Sequence, residues 1–157
     1  MSMSSKIVIK RSYKAKLEDV WALWTTKAGF ESWWGPQGFR AQVSKLEARE
    51  GGTLQYAMIA ATPEMIEAMK AQGQPVSHGV SSTFTEVQPM TKLVLRNLID
   101  FIPGVEPYQA DISVEFSVSG GMVSMVTTLD GMHDEMFTKM QEEGYTSQLS
   151  KLDALFA

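Results

Sequence analysis

At 157 residues the chain is sized for one domain with a single complete core. Having no cysteine, it excludes disulfides, thiolate metal sites and cysteine nucleophiles, and a net charge of -4 with a pI of about 5.2 gives no basic footprint for nucleic acid. The longest uninterrupted apolar run, 56–61, is far too short for a membrane span, and the start Met1-Ser-Met-Ser-Ser-Lys6 lacks the apolar region of an export signal, so a soluble cytoplasmic protein is expected.

In chain order, 7–13 reads as a strand. Leu17, Val20, Trp21 and Trp24 recur at i, i+3, i+4 and i+7 and predict a helix over 16–26. A second short helix over 28–34 is stopped by Pro36. Adjacent side chains on a helix diverge by roughly 100°, so Trp33 and Trp34 are expected to part, one of them lining a rim or cavity. A strand over 39–47 and the turn Gly51-Gly52 lead into a strand over 53–61. Thr62 as N-cap, Pro63 at the first helical position and Gly73 as a stop predict a helical insertion over about 62–73. Strands follow at 79–87, 92–99 and 109–118, the last alternating through Ile112, Val114, Phe116 and Val118. Gly120-Gly121 turns into 122–130, where Val123 and Met125 are expected to face outward as a greasy stripe suited to a homodimer. From 133 to 156 a helical period returns, with Phe137, Met140, Tyr145, Leu149, Leu152 and Phe156 on one broad stripe. This order predicts an α+β fold, a curved antiparallel sheet with a long helix across its concave face. Space left between a curved sheet and a straight helix is where apolar ligands are held.

The runs Val20-Trp-Ala-Leu-Trp-Thr25, Trp33-Trp-Gly-Pro-Gln-Gly-Phe39, Glu86-Val-Gln-Pro-Met-Thr-Lys-Leu-Val-Leu95, Gly120-Gly121 and Gly144-Tyr-Thr-Ser-Gln-Leu-Ser-Lys-Leu152 resemble the homologues of the activator of the heat-shock-protein-90 ATPase, within the START-like (SRPBCC) superfamily. The resemblance covers 7–156, and the tryptophan pair with Gly-Pro is its most specific part. It implies the helix-grip fold over a single domain, 1–157: about seven antiparallel strands wrapped around the C-terminal helix, two short helices after the first strand, and a cavity between sheet and helix. A fold does not fix a function, and the superfamily holds lipid carriers, cyclases and cochaperone domains alike.

Catalytic patterns are scarce. His78 and His133 stand in no metal-ligand spacing, and no nucleophile elbow, phosphate loop or dinucleotide fingerprint occurs, so no metal, cofactor or catalytic residue is expected. His133-Asp134-Glu135 reads as the acidic start of the long helix, and His78 is a candidate general base. Arg96 points outward with its stem over apolar surface, or inward to anchor a ligand carboxylate, with Glu86 as a candidate partner. Eleven methionines, among them Met58, Met65, Met69, Met132, Met136 and Met140 in segments bordering the expected cavity, suit irregular apolar ligands. The cavity candidates are Trp34, Phe39, Tyr56, Met58, Met69, Phe84, Arg96, Met136, Met140 and Tyr145. The expected activity is non-catalytic binding of a lipid-like or aromatic small molecule. The alternatives are an interaction protein, contacting a chaperone or itself, and a cyclase- or dehydratase-type enzyme in which Tyr56, His78, Glu86 or Arg96 converge.

Overall fold

The computed structural model describes residues 6–100 and 102–156; the first five residues, read above for a leader, lie outside it. In chain order the elements are β1 (Lys6–Lys14), α1 (Leu17–Thr25), α2 (Lys27–Glu31), β2 (Phe39–Leu46), β3 (Thr53–Ala60), α3 (Pro63–Ala71), β4 (Ser77–Gln88), β5 (Lys92–Ile99), β6 (Tyr108–Ser119), β7 (Met122–Asp130) and α4 (Glu135–Leu155). The strands form one antiparallel seven-stranded sheet in the order β1-β7-β6-β5-β4-β3-β2, curled around α4 as in the helix-grip fold.

Local chemistry sets the helix starts. Thr62 caps α3 by accepting from Met65 N, with Pro63 at the first position as the sequence predicts. Asp134 accepts from Phe137 N at 2.8 Å, so α4 begins at Glu135, two residues after its expected start. Thr26 caps α2, which is only five residues long and ends at Glu31.

That early stop corrects the expectation for the tryptophan pair. Trp33 and Trp34 lie beyond the helix, where the chain is already turning, and the 100° divergence does not apply. Both indoles enter the core, at 0% and 6% exposure, with ring centroids 5.0 Å apart and edge-to-face. Trp24, Phe30, Tyr56 and Tyr145 complete the aromatic cluster.

The parity of β7 is likewise the reverse of that expected. Val123, Met125, Thr127 and Leu129 are all buried and face α4, whereas Ser124 and Val126 point outward and are half-buried. Pairing fixes this: Met125 stands opposite Phe116, and its sulfur accepts from Trp24 Nε1 at 3.4 Å. Shifting by one residue would carry the whole inward set to solvent. The greasy outward stripe proposed for dimerisation therefore does not exist at Val123 and Met125.

The interior divides in two. A large cluster fills the space from Tyr13 and Trp24 to Phe84 and Leu152, and a small one of Ile99, Ala110 and Met132, flanked by Tyr108 and Phe137, sits near the start of α4. On β5 the inward parity runs Leu93, Leu95, Asn97, Ile99, so Asn97 stands where the clusters meet, accepting from the Ser82 hydroxyl across the strands.

Candidate functional site

The C-terminal half of α4 is tied down along both flanks. On one, the Trp-Trp-Gly-Pro turn docks through four hydrogen bonds: Gly35 N to Gln148 Oε1 and Gln37 N to Ser147 Oγ, both 2.9 Å, Gln37 Nε2 to Ser150 Oγ, 2.9 Å, and Lys151 Nζ to Phe39 O, 2.7 Å. Gly35 is required there, because its φ is +102° and a Cβ would come within 3.1 Å of the Met58 sulfur. On the other flank Tyr13 donates to Asp153 Oδ1 at 2.6 Å, and Arg11 lies 3.4 Å from the same oxygen. Burial, then the Asp153 carboxylate, push the Tyr13 phenol far above its ordinary value.

Midway along α4 the packing changes. Gly144 is half-buried beside the inward stripe, and a Cβ built on it would meet nothing within 4 Å. Tyr145, 5% exposed, reaches the sheet and shares a 2.7 Å hydrogen bond with Thr127. Two glutamines on the same stripe flank the glycine. Gln148 is 4% exposed, and its Nε2 has no hydrogen-bond partner among the described residues although its Oε1 accepts from Gly35; Gln141 Oε1 is buried and likewise has none among them. Sequence reading misses both residues. The available signal is an amide recurring at 141 and 148 within a stripe otherwise made by Tyr145, Leu149 and Leu152.

The structure does not gather the predicted cavity residues around one space. Tyr145 and Tyr56 are buried, Tyr56 accepting from Trp34 Nε1 at 3.0 Å, and burial pushes the Tyr56 phenol up to about 12 despite that hydrogen bond. Met58 packs beside Gly35, Phe39 and Met69 are half-buried, and Phe84 is wholly within the core. Met136 and Met140 lie on the outer part of the α4 stripe, 61% and 54% exposed, because one helix face cannot bury so wide a stripe. Arg96 is on the outer face of the sheet, gripping Asp111 of β6 with bonds of 2.8 and 3.0 Å, while Glu86 faces Lys92 instead. It is therefore no anchor for a buried carboxylate. Arg96→Ala is expected to leave the denaturant midpoint nearly unchanged, since exposed pairs contribute little, and not to alter ligand binding; a large fall in either would return it to the site.

The residues of the enzyme alternative do not converge. Tyr56 is engaged with Trp34, His78 is exposed at the start of β4, and Arg96 and Glu86 are bound to other partners. An open depression of about 570 Å³ lies on β2, β3 and β4, lined by Gln42, Gln55, Ala57, Gly79 and their neighbours. No residue of α4 lines it, so it is a dish on the sheet. No cluster of acidic residues and histidines suited to a metal occurs among the described residues, and no described helix is long and apolar enough to cross a membrane.

Solved structures share this architecture. A crystal structure of a Chromobacterium violaceum protein superposes with a TM-score of 0.77 at 20% identity, over 96% of each chain. The AHSA1 protein of Silicibacter pomeroyi gives 0.73 at 20% identity, again over 96% of each chain. A solution structure from Arthrobacter aurescens gives 0.77 at 21% identity, covering 99% of this chain and 88% of that one. At such identities the likeness establishes the fold. No curated relative matches the chain. The family model described as activator of Hsp90 ATPase homolog 1-like protein matches residues 14–157, and the chain belongs to that family.

Proposed function

We propose that the protein reversibly binds an apolar small molecule in the space between the sheet and the middle of α4, without covalent chemistry. The observation that carries this reading is Gly144. A glycine in the interior of a helix costs about 1 kcal/mol relative to alanine, and this one lies beside the inward stripe at a point where a Cβ would meet no atom within 4 Å. A residue that neither fills the core nor makes a turn is explained if the room itself is used. Met58 beside Gly35 and Met65 beside Gly38 supply adaptable apolar surface along the turn that docks on the C-terminal half of α4.

Gly144→Ala is expected to raise stability by about 0.5–1 kcal/mol in urea unfolding, while Gly144→Leu fills the space and abolishes binding. A naphthalene dye and medium-chain fatty acids, titrated against tryptophan emission and melting temperature, report on occupancy, since a ligand of the folded state alone raises its stability. Absence of binding tighter than roughly 100 µM, about -5.5 kcal/mol, in the wild-type protein sinks the reading.

A second reading is favoured by Met136 and Met140, four residues apart and exposed on one face of α4. They would suit a contact surface, and the family's description makes a chaperone ATPase the partner to test. ATPase stimulation that disappears in a Met136→Glu, Met140→Glu double variant supports it, and none in the wild-type protein refutes it.

A further inference from the structure

A sheet that does not close into a barrel ends in two edges, each with a row of N–H and C=O groups that have no ladder partner. Here the edges are β1 and β2, and they are finished differently. β2 shifts register between Val43 and Lys45, and the Glu31 carboxylate accepts from Val43 N at 2.7 Å, so this edge is bent and one of its N–H groups is already taken. β1 runs nine residues in unbroken register against β7, from Lys6 opposite Asp130 to Lys14 opposite Met122. Among the described residues, the one bond made to its backbone from outside that ladder is the Arg11 guanidinium on the Lys10 carbonyl, at 3.1 Å.

Charge marks the same edge. Lys6, Lys10, Arg11, Lys14 and Lys16 all precede the first acidic residue, Glu18, in a chain whose net charge is -4. Lys6 pairs with Asp130 and Arg11 with Asp153, whereas Lys10 and Lys14 are exposed and have no ion pair among the described residues. Both share the outer parity of β1 with Lys6. On the inner parity Ile7 and Ile9 are only half-buried, although their partners on β7, Leu129 and Thr127, are wholly buried. β7 shields the two isoleucines from one side, and a strand laid along the free edge would shield them from the other.

We infer that β1 receives an extended acidic segment of another protein as an eighth strand of the sheet. In such strand addition the main-chain bonds supply affinity and alternate side chains choose the partner. Acidic residues four apart on one parity of the segment meet Lys10 and Lys14, and β-branched residues on the other cover Ile7 and Ile9. A second copy of this chain is a poor occupant. Setting β1 against β1 places lysine beside lysine, and β2 is bent and carries the exposed cations Arg40 and Lys45. The lysines that keep copies apart thus select an acidic partner.

The probe is a labelled peptide with blocked ends, as long as β1, with valine at every second position, glutamate at the first, fifth and last, and threonine between. Fluorescence anisotropy with the full chain at low salt reads its affinity. It is expected to bind at least about tenfold more tightly than the same peptide with lysine for glutamate, and a Lys10→Glu, Lys14→Glu double variant should reverse that preference. Only alternate N–H groups of an added strand face its neighbour, so N-methylation of one alternate set should abolish binding and of the other set leave it intact. The peptide comparisons decide if the double variant does not fold. Equal affinity for the two peptides, a preference that survives the double variant, or N-methylation that acts alike on both sets overturns the inference. So does the absence of binding tighter than roughly 1 mM, or a dimer of the free chain that excludes the peptide, which would make a second copy the occupant.

Discussion

Trp33→Ala is expected to lower stability by about 3–5 kcal/mol, a large fraction of the roughly 5–15 kcal/mol that a domain possesses. Trp33 is completely buried, its Nε1 donates to Leu23 O at 2.8 Å, and its ring meets Trp24, Trp34 and Tyr145 edge-on. Alanine would leave a cavity bounded by three aromatic rings from three different parts of the chain, and none can slide in without leaving its own contacts. Urea unfolding followed by far-ultraviolet dichroism measures the loss. A cost within about 0.5 kcal/mol, the surface range, would place Trp33 at a rim after all.

Alkali should unfold the protein over a narrow interval. Phenols in an unfolded chain release their protons near 10, whereas the Tyr56 phenol is pushed up to about 12 by burial and that of Tyr145 is pushed higher, also by burial, with the Thr127 hydrogen bond opposing in part. Above pH 10 the unfolded state has thus lost protons that the folded state keeps. Stability is complete below that pH and falls as pH rises toward the folded values, by up to about 1.4 kcal/mol per unit for each phenol the fold holds up, Tyr13 beside Asp153 included. Urea midpoints between pH 8 and 12, with phenolate absorbance as the count of released protons, test this. Tyr56→Phe should make the decline shallower by one proton. A midpoint unchanged between pH 9 and 12 would mean that these phenols ionise as freely in the folded protein as in the unfolded chain.

Much of the architecture is legible in the sequence because it is written in local chemistry. Thr62 and Pro63 start α3 where a cap and a preset φ demand it, and the alternation from Ile112 to Phe116 gives the inward face of β6. Errors arise where tertiary packing overrides a local rule. Val126 makes both parities of β7 look apolar, and only the pairing of Met125 with Phe116 and its contact with Trp24 decide between them. The methionines of α4 share a helical stripe with Tyr145 and Leu149, yet the stripe is wider than the contact, leaving Met136 and Met140 outside. The site is least legible of all. Gln148 gains its meaning from Gly35, more than a hundred residues earlier, and nothing in a single helix turn reveals that pairing.

The same docking has a kinetic side. The turn after Trp34 is fastened to residues 147–151, and β1 pairs with β7, so the contacts closing the aromatic cluster join opposite ends of the chain. Such closure costs loop entropy before the long-range contacts can offset it, which is the hallmark of slow folders. During synthesis the tryptophans near the beginning of the chain are made early and sheltered late. Until the last turns of α4 leave the ribosome, their indoles remain available to other hydrophobic surfaces.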